Sequence, residues 1–162
     1  MLFTGRNHVV RALEASADMF NGNPSSDIID LSKYDRAAFI IQKGAGAIGT
    51  ATVKVYASDD TSGTTTAAMG FTWRANTSGD TWGAPAGADS GGFTTTAGAN
   101  QAYAIEVSAD EVLKAGRENS TAFDGKCVFI EFAEVADDPC VGGVIAVLSQ
   151  GRYQDSSMPS AL

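Results

Sequence analysis

The sequence is poor in the residues on which most catalytic and metal sites are built. It has one histidine, His8, and two cysteines, Cys127 and Cys140. A lone histidine with no recognisable partner supports no Ser/His/Asp set, and no G-x-S-x-G elbow occurs. A zinc site would have to lean on carboxylates, which zinc uses less readily. Two separated cysteines make neither a disulfide framework nor a zinc motif. Residues 126–135 and 140–150 read as one hairpin about Asp137 and Asp138. That hairpin places the cysteines about eight residues apart, or ~26 Å, whereas a disulfide needs Cα atoms within ~7 Å. The reading is two free thiols and synthesis in a reducing cytoplasm.

Positive charge is also scarce. Eleven Lys and Arg against 19 Asp and Glu leave a net charge of −8, and the basic residues form no run. This disfavours a phosphate-backbone binder and an anionic membrane, so neither nucleic acid nor membrane is expected as a partner. No apolar run approaches the ~20 residues of a membrane span. The longest, residues 141–148, is strand-sized, and the opening residues are too short an apolar stretch for a signal peptide.

The most informative absence is internal. Residues 57–100 contain no Val, Ile or Leu. They are almost wholly Gly, Ala, Ser, Thr, Asp and Asn, with Phe71, Trp73, Trp82 and Phe93 as isolated large apolar residues. A segment without branched aliphatics buries little apolar area. It reads as a long surface excursion on an all-β scaffold, pinned by those four side chains. Loss of Trp73 or Phe71 is then expected to loosen the excursion and spare the sandwich.

Glycine is plentiful, at 18 residues, and Thr is abundant; both suit short strands joined by many turns. Residues 36–42 read as a strand. The Gly-rich loop 44–49 precedes a period-2 strand, 50–56, rather than a helix, so it reads as a hairpin connection and not as a phosphate cradle. Residues 69–74 read as a strand inside the excursion. Residues 101–107 place Tyr103, Ile105 and Val107 on one face. Ser108 and Glu111 form a capping box for a short helix, 109–114, ending at Gly116. Residues 125–135 form a long strand. Residues 141–148 are apolar on both faces and so central, with Gly142 and Gly143 marking a bulge or a close backbone approach. The pattern predicts an all-β antiparallel β-sandwich or jelly roll with at most one short helix. The expected organisation is one domain, 1–162, with an N-terminal arm (1–7), the excursion (57–100) and a C-terminal tail (154–162).

Chemistry-bearing pairs are few. Asp59-Asp60 and Asp137-Asp138 sit in predicted turns; calcium uses such carboxylates, but neither pair fits an EF-hand loop, and a solvated turn is the simpler reading. Glu106 and Glu131 fall on strands and would make a glycosidase-like pair if brought together, although two acids on strands are commonplace. Tyr56, Trp73, Trp82 and Tyr103 would suit a sugar platform, yet such aromatics more often anchor a core or an interface. No cofactor is implied, and the chain reads as non-enzymatic.

Residues 28–35 (IIDLSKYD) lead into 38–44 (AFIIQKG) and 49–55 (GTATVKV), followed by 103–107 (YAIEV) and 139–148 (PCVGGVIAVL). This order resembles small virion structural proteins of tailed bacteriophages, found beside the major capsid protein in head modules. The resemblance covers roughly residues 27–153 and carries no invariant chemical motif. It implies a capsid decoration (cement) or minor head protein, many of which have β-sandwich folds. On that reading the chain binds the virion capsid surface, and its partners are the major capsid protein and further copies of itself, with a trimer favoured. Leu2, Phe3, Met158 and Leu162, apolar residues on the two arms, join Phe71, Trp73, Trp82 and Phe93 as candidate protein contacts. The alternatives are a carbohydrate-binding or host-adhesion module, a tail or neck structural protein of similar fold, and a small hydrolase built on Glu106 and Glu131.

Overall fold

The computed structural model describes residues 3–45 and 48–151. The strands, in chain order, are β1 (His8–Ser16), β2 (Ile29–Asp30), β3 (Tyr34–Lys43), β4 (Thr50–Ser58), β5 (Thr66–Met69), β6 (Phe71–Asn76), β7 (Ala86–Ala88), β8 (Phe93–Thr94), β9 (Ala102–Ser108), β10 (Cys127–Ala136) and β11 (Gly142–Gly151). A 3-10 turn covers Phe3–Gly5, and one helix, α1 (Ala109–Glu118), separates β9 from β10. The first sheet has the order β1-β11-β3-β9-β6-β7; the second has β2-β10-β4-β5, with β8 also paired to β4. Every pairing is antiparallel. The fold is an all-β sandwich.

Period-2 alternation builds the core. Phe39, Ile41, Ile105, Val107, Val144, Ala146 and Leu148 point inward from the first sheet, and Val53, Val55, Val128, Ile130 and Phe132 meet them from the second. Fully burying an aliphatic or aromatic side chain of this size contributes ~1.5–3 kcal/mol.

The two expected hairpins do not form. β10 lies between β2 and β4, whereas β11 lies between β1 and β3, so residues 137–141 bridge the sheets instead of turning within one. Likewise, 44–49 carries the chain from β3 in the first sheet to β4 in the second. Alternation tells which side of a strand faces the core, and both sheets share that core, so sheet membership leaves no trace in the pattern. The corner between β2 and β3 is an Asx turn, with Ser32 N donating to Asp30 Oδ1 at 2.7 Å.

Residues 57–100 carry β5 to β8 and so supply strands to both sheets. The strand read over 69–74 is two strands. Gly70 divides them, and a Cβ there would lie 3.0 Å from the Ala88 carbonyl oxygen. β5 before it belongs to the second sheet and β6 after it to the first.

Helix α1 packs at one end of the sandwich against β3, β4, β5 and β9, and Val112 is its fully buried contact. Its capping box is formed. Ser108 Oγ accepts from Glu111 N at 3.3 Å, and Glu111 Oε2 accepts from Ser108 N at 2.7 Å. The helix runs beyond the predicted stop at Gly116. That glycine is buried in the helix, where a Cβ would come within 2.6 Å of the Phe123 carbonyl oxygen. It makes room for the returning loop and does not end the helix. Ser108→Ala should lower stability by about 1 kcal/mol, seen as a lower thermal midpoint with the strand signal retained. The close approach read at Gly142 and Gly143 is present: a Cβ at Gly142 would meet the Gln42 carbonyl and one at Gly143 would lie 3.0 Å from Ala15 Cα.

Candidate interaction surfaces

The groups able to do chemistry are dispersed. Glu106 and Glu131 project from opposite outer faces of the sandwich, since their neighbours Ile105, Val107, Ile130 and Phe132 all face the core between them. With sheets ~10 Å apart, the two carboxylates cannot flank one bond. His8 lies on β1 beside Tyr34, with ring centroids 6.3 Å apart, and its Nε2 is buried without a partner. It is a packing residue. Cys127 and Cys140 are free and buried. Burial, reinforced by Asp30, Asp60 and Asp59, pushes the Cys127 thiol up to about 12; burial raises Cys140 as well. Neither is a thiolate nucleophile at neutral pH. Asp60 holds a turn: its Oδ1 accepts from Ser62 Oγ at 2.6 Å and Ser62 N at 2.8 Å, bonds that lower its pKa. Among the described residues, no group of three or more His, Cys, Asp and Glu is placed to hold a metal ion.

Three of the aromatic candidates meet inside the fold. Trp73 of β6 stacks on Phe93 of β8, with centroids 3.9 Å apart and planes 4° from parallel. Phe71 meets Phe93 edge-on at 6.1 Å, and Tyr103 lies 5.6 Å from it. The cluster joins the two sheets. Its polar end is satisfied, because Tyr103 Oη donates to Gln101 Oε1 at 2.9 Å and accepts from Thr96 N at 2.9 Å. Tyr56 instead stacks on Phe129 at 5.3 Å, on the outer face of the second sheet, and Trp82 stands exposed outside any strand. The four residues of the sugar platform thus sit in three separate places. Phe3 is exposed. Leu2, Met158 and Leu162 lie outside the described residues.

Lys43 escaped the sequence reading. It is fully buried, and its Nζ donates to the Gly49 carbonyl at 2.9 Å and the Thr96 carbonyl at 2.8 Å. Desolvation lowers its pKa. The lysine fastens two loops at the end of the sandwich away from α1. The signal was present, since Ala37, Phe39, Ile41 and Lys43 occupy successive core-facing positions of β3.

Two surfaces have the character of contacts. The first is the outer face of the first sheet, where cross-strand register aligns Arg11, Ile145, Ile40, Ala104 and Arg74 in one row, and Val9, Val147 and Ala38 in the next. Ile145 is 47% exposed and Val9 42%. Arg36 is exposed on the same face, Arg11 pairs with Glu14 at 3.5 Å, and Glu106 faces outward with them. Aliphatic residues interleaved with arginine are what protein interfaces concentrate, and Lys and Asp are what they lose. The apolar character of both sides of β11 thus records an uncovered face as well as a central position.

The second surface is the tip at the end away from α1. Ile48, Val135 and Val141 are 53%, 61% and 40% exposed there. Gly44 N donates to the Val141 carbonyl at 2.7 Å, and Gly49 packs on Asp138, which draws the three loops together. The tip is acidic: Cys140 N donates to Asp18 Oδ1 at 3.3 Å. Desolvation, then repulsion from Asp137 and Asp18, raises the Glu134 pKa.

No protein-family profile matches the chain, and no curated protein matches it in sequence. Among solved structures, the crystal structure of the SPBc2 prophage-derived protein YomS is similar over 89% of this chain and 93% of its own, at 12% identity and a TM-score of 0.42. A likeness at that level carries no inference about what this chain does.

Proposed function

We propose that the chain is a non-enzymatic virion structural protein of the head-decoration type, which binds the outer surface of a phage capsid shell and reinforces it. The observation that carries the reading is the uncovered face of the first sheet, where Ile145, Val9, Ile40 and Val147 lie among arginines. Contiguous exposed apolar area of this kind marks a protein contact. The dispersal of His8, Glu106, Glu131 and the two thiols supports it by leaving no assembled reaction centre among the described residues. The sequence resemblance to phage head proteins gives the partner, the major capsid protein. Each bound copy bridges neighbouring capsid subunits, and many weak contacts add up because linked contacts act at high effective concentration.

Sedimentation with purified empty shells tests this. The protein should pellet with shells and saturate at a fixed number of copies per shell, and Ile145→Asp should weaken binding at least tenfold. Failure to pellet at saturating protein overturns the proposal.

A further inference from the structure

The two exposed apolar surfaces differ in charge. The sheet face carries Arg36 and Arg74 beside Ile145, Ile40 and Val9. The tip carries Asp137 and Asp138 beside Val135, Val141 and Ile48. Two sheet faces brought together by a two-fold axis would set arginine against arginine. Two tips would set carboxylate against carboxylate. Only a face against a tip pairs opposite charges around an aliphatic centre, and such complementarity fixes partner and register. We propose that this chain self-associates head to tail, the acidic tip of one copy seated on the arginine-bordered sheet face of the next. This rests on the reading of the sheet face as a protein contact and names its occupant as a second copy.

The geometry sets the form of the assembly. The tip lies at the ends of the strands, and the sheet face is normal to the sheet, so the two surfaces point at right angles. Successive copies therefore turn relative to one another, and a heterologous contact that turns closes into a ring. Each ring member offers one face and one tip, and closure leaves neither exposed.

Sedimentation velocity on three proteins tests the inference: the wild type, a face variant (Ile145→Asp with Arg74→Glu) and a tip variant (Val135→Lys with Asp137→Lys). All four substituted residues are exposed, and circular dichroism confirms that each variant is folded. The wild type should sediment as one closed oligomer and each variant alone as a monomer. An equimolar mixture of the variants should give a dimer, because one intact tip and one intact face remain. A monomeric wild type at 100-fold above its shell-saturating concentration overturns the inference. So does a variant that still oligomerises alone, or a mixture that stays monomeric. Shell binding is scored separately: a monomer that pellets with shells sinks only the ring, and a ring that does not pellet sinks only the decoration reading.

Discussion

Phe93→Ala should cost about 3–5 kcal/mol of stability, the range for deleting a large core aromatic. Phe93 is 8% exposed, and it touches Trp73, Phe71 and Tyr103. It also sits on a strand of two residues, β8, paired to β4 only through Thr52–Thr94 and Val53–Phe93. Composition alone suggested that such a loss would free residues 57–100 and leave the sandwich intact. Strand pairing argues otherwise, because β5 and β8 belong to one sheet and β6 and β7 to the other. The damage should be global. Denaturant unfolding followed by tryptophan fluorescence and by far-ultraviolet circular dichroism should give one coincident transition with a lower midpoint. An early fluorescence transition, with the strand signal preserved, would restore the picture of a separable excursion.

The second large effect concerns alkaline pH. The folded chain holds the Cys127 proton up to about 12, against a usual value of 9.0. Above pH 9 the unfolded chain binds fewer protons than the folded one, so stability falls as pH rises. The full contribution is present below pH 9 and is lost through pH 12. The slope is about 1.4 kcal/mol per pH unit, for a total on the order of 4 kcal/mol. Cys140, raised in the same direction, adds to the fall. Lys43, whose pKa is lowered, opposes it, since its unfolded form keeps a proton that its folded form gives up. Urea midpoints at pH 8 and pH 11 should therefore drop steeply for the wild type and less for Cys127→Ala. Equal drops in the two proteins would show that the thiol does not govern the alkaline limb.

Local features were readable in the chain, and long-range ones were not. The Ser108–Glu111 capping box depends on a spacing of three residues and appeared as read. Strands β3, β9, β10 and β11 followed from alternation, and the tight packing at Gly142 from the pair of glycines. The partner of each strand did not follow. Val53 of β4 faces Phe132 of β10, and Phe39 of β3 faces Ala146 of β11; nothing in either alternating pattern distinguishes the two sheets. Gly116 was taken as a stop because glycine often follows a helix, whereas here it is close packing inside the helix that demands it. The sheet face was half legible. Ile145 and Val147 were read as buried on both sides, because a one-chain view treats every apolar row as interior. The acidic tip was assembled from loops 44–49 and 137–141, whose meeting is fixed only by the crossover between sheets.

That crossover governs the order in which the molecule can be made. β1 has β11 as its paired neighbour, with His8 opposite Leu148, so the first strand to leave the ribosome has no partner until the last arrives. β3, too, lacks one of its flanks until then. Neither sheet can be completed on a nascent chain, and the dominant pairings span most of the sequence, the topology associated with slow folding and a long exposure of unpaired edges. Abundant synthesis of this protein thus places its greatest demand on the interval between translation and closure of β11, when Val9, Ile40 and the inward faces of β1 and β3 are all open to other chains.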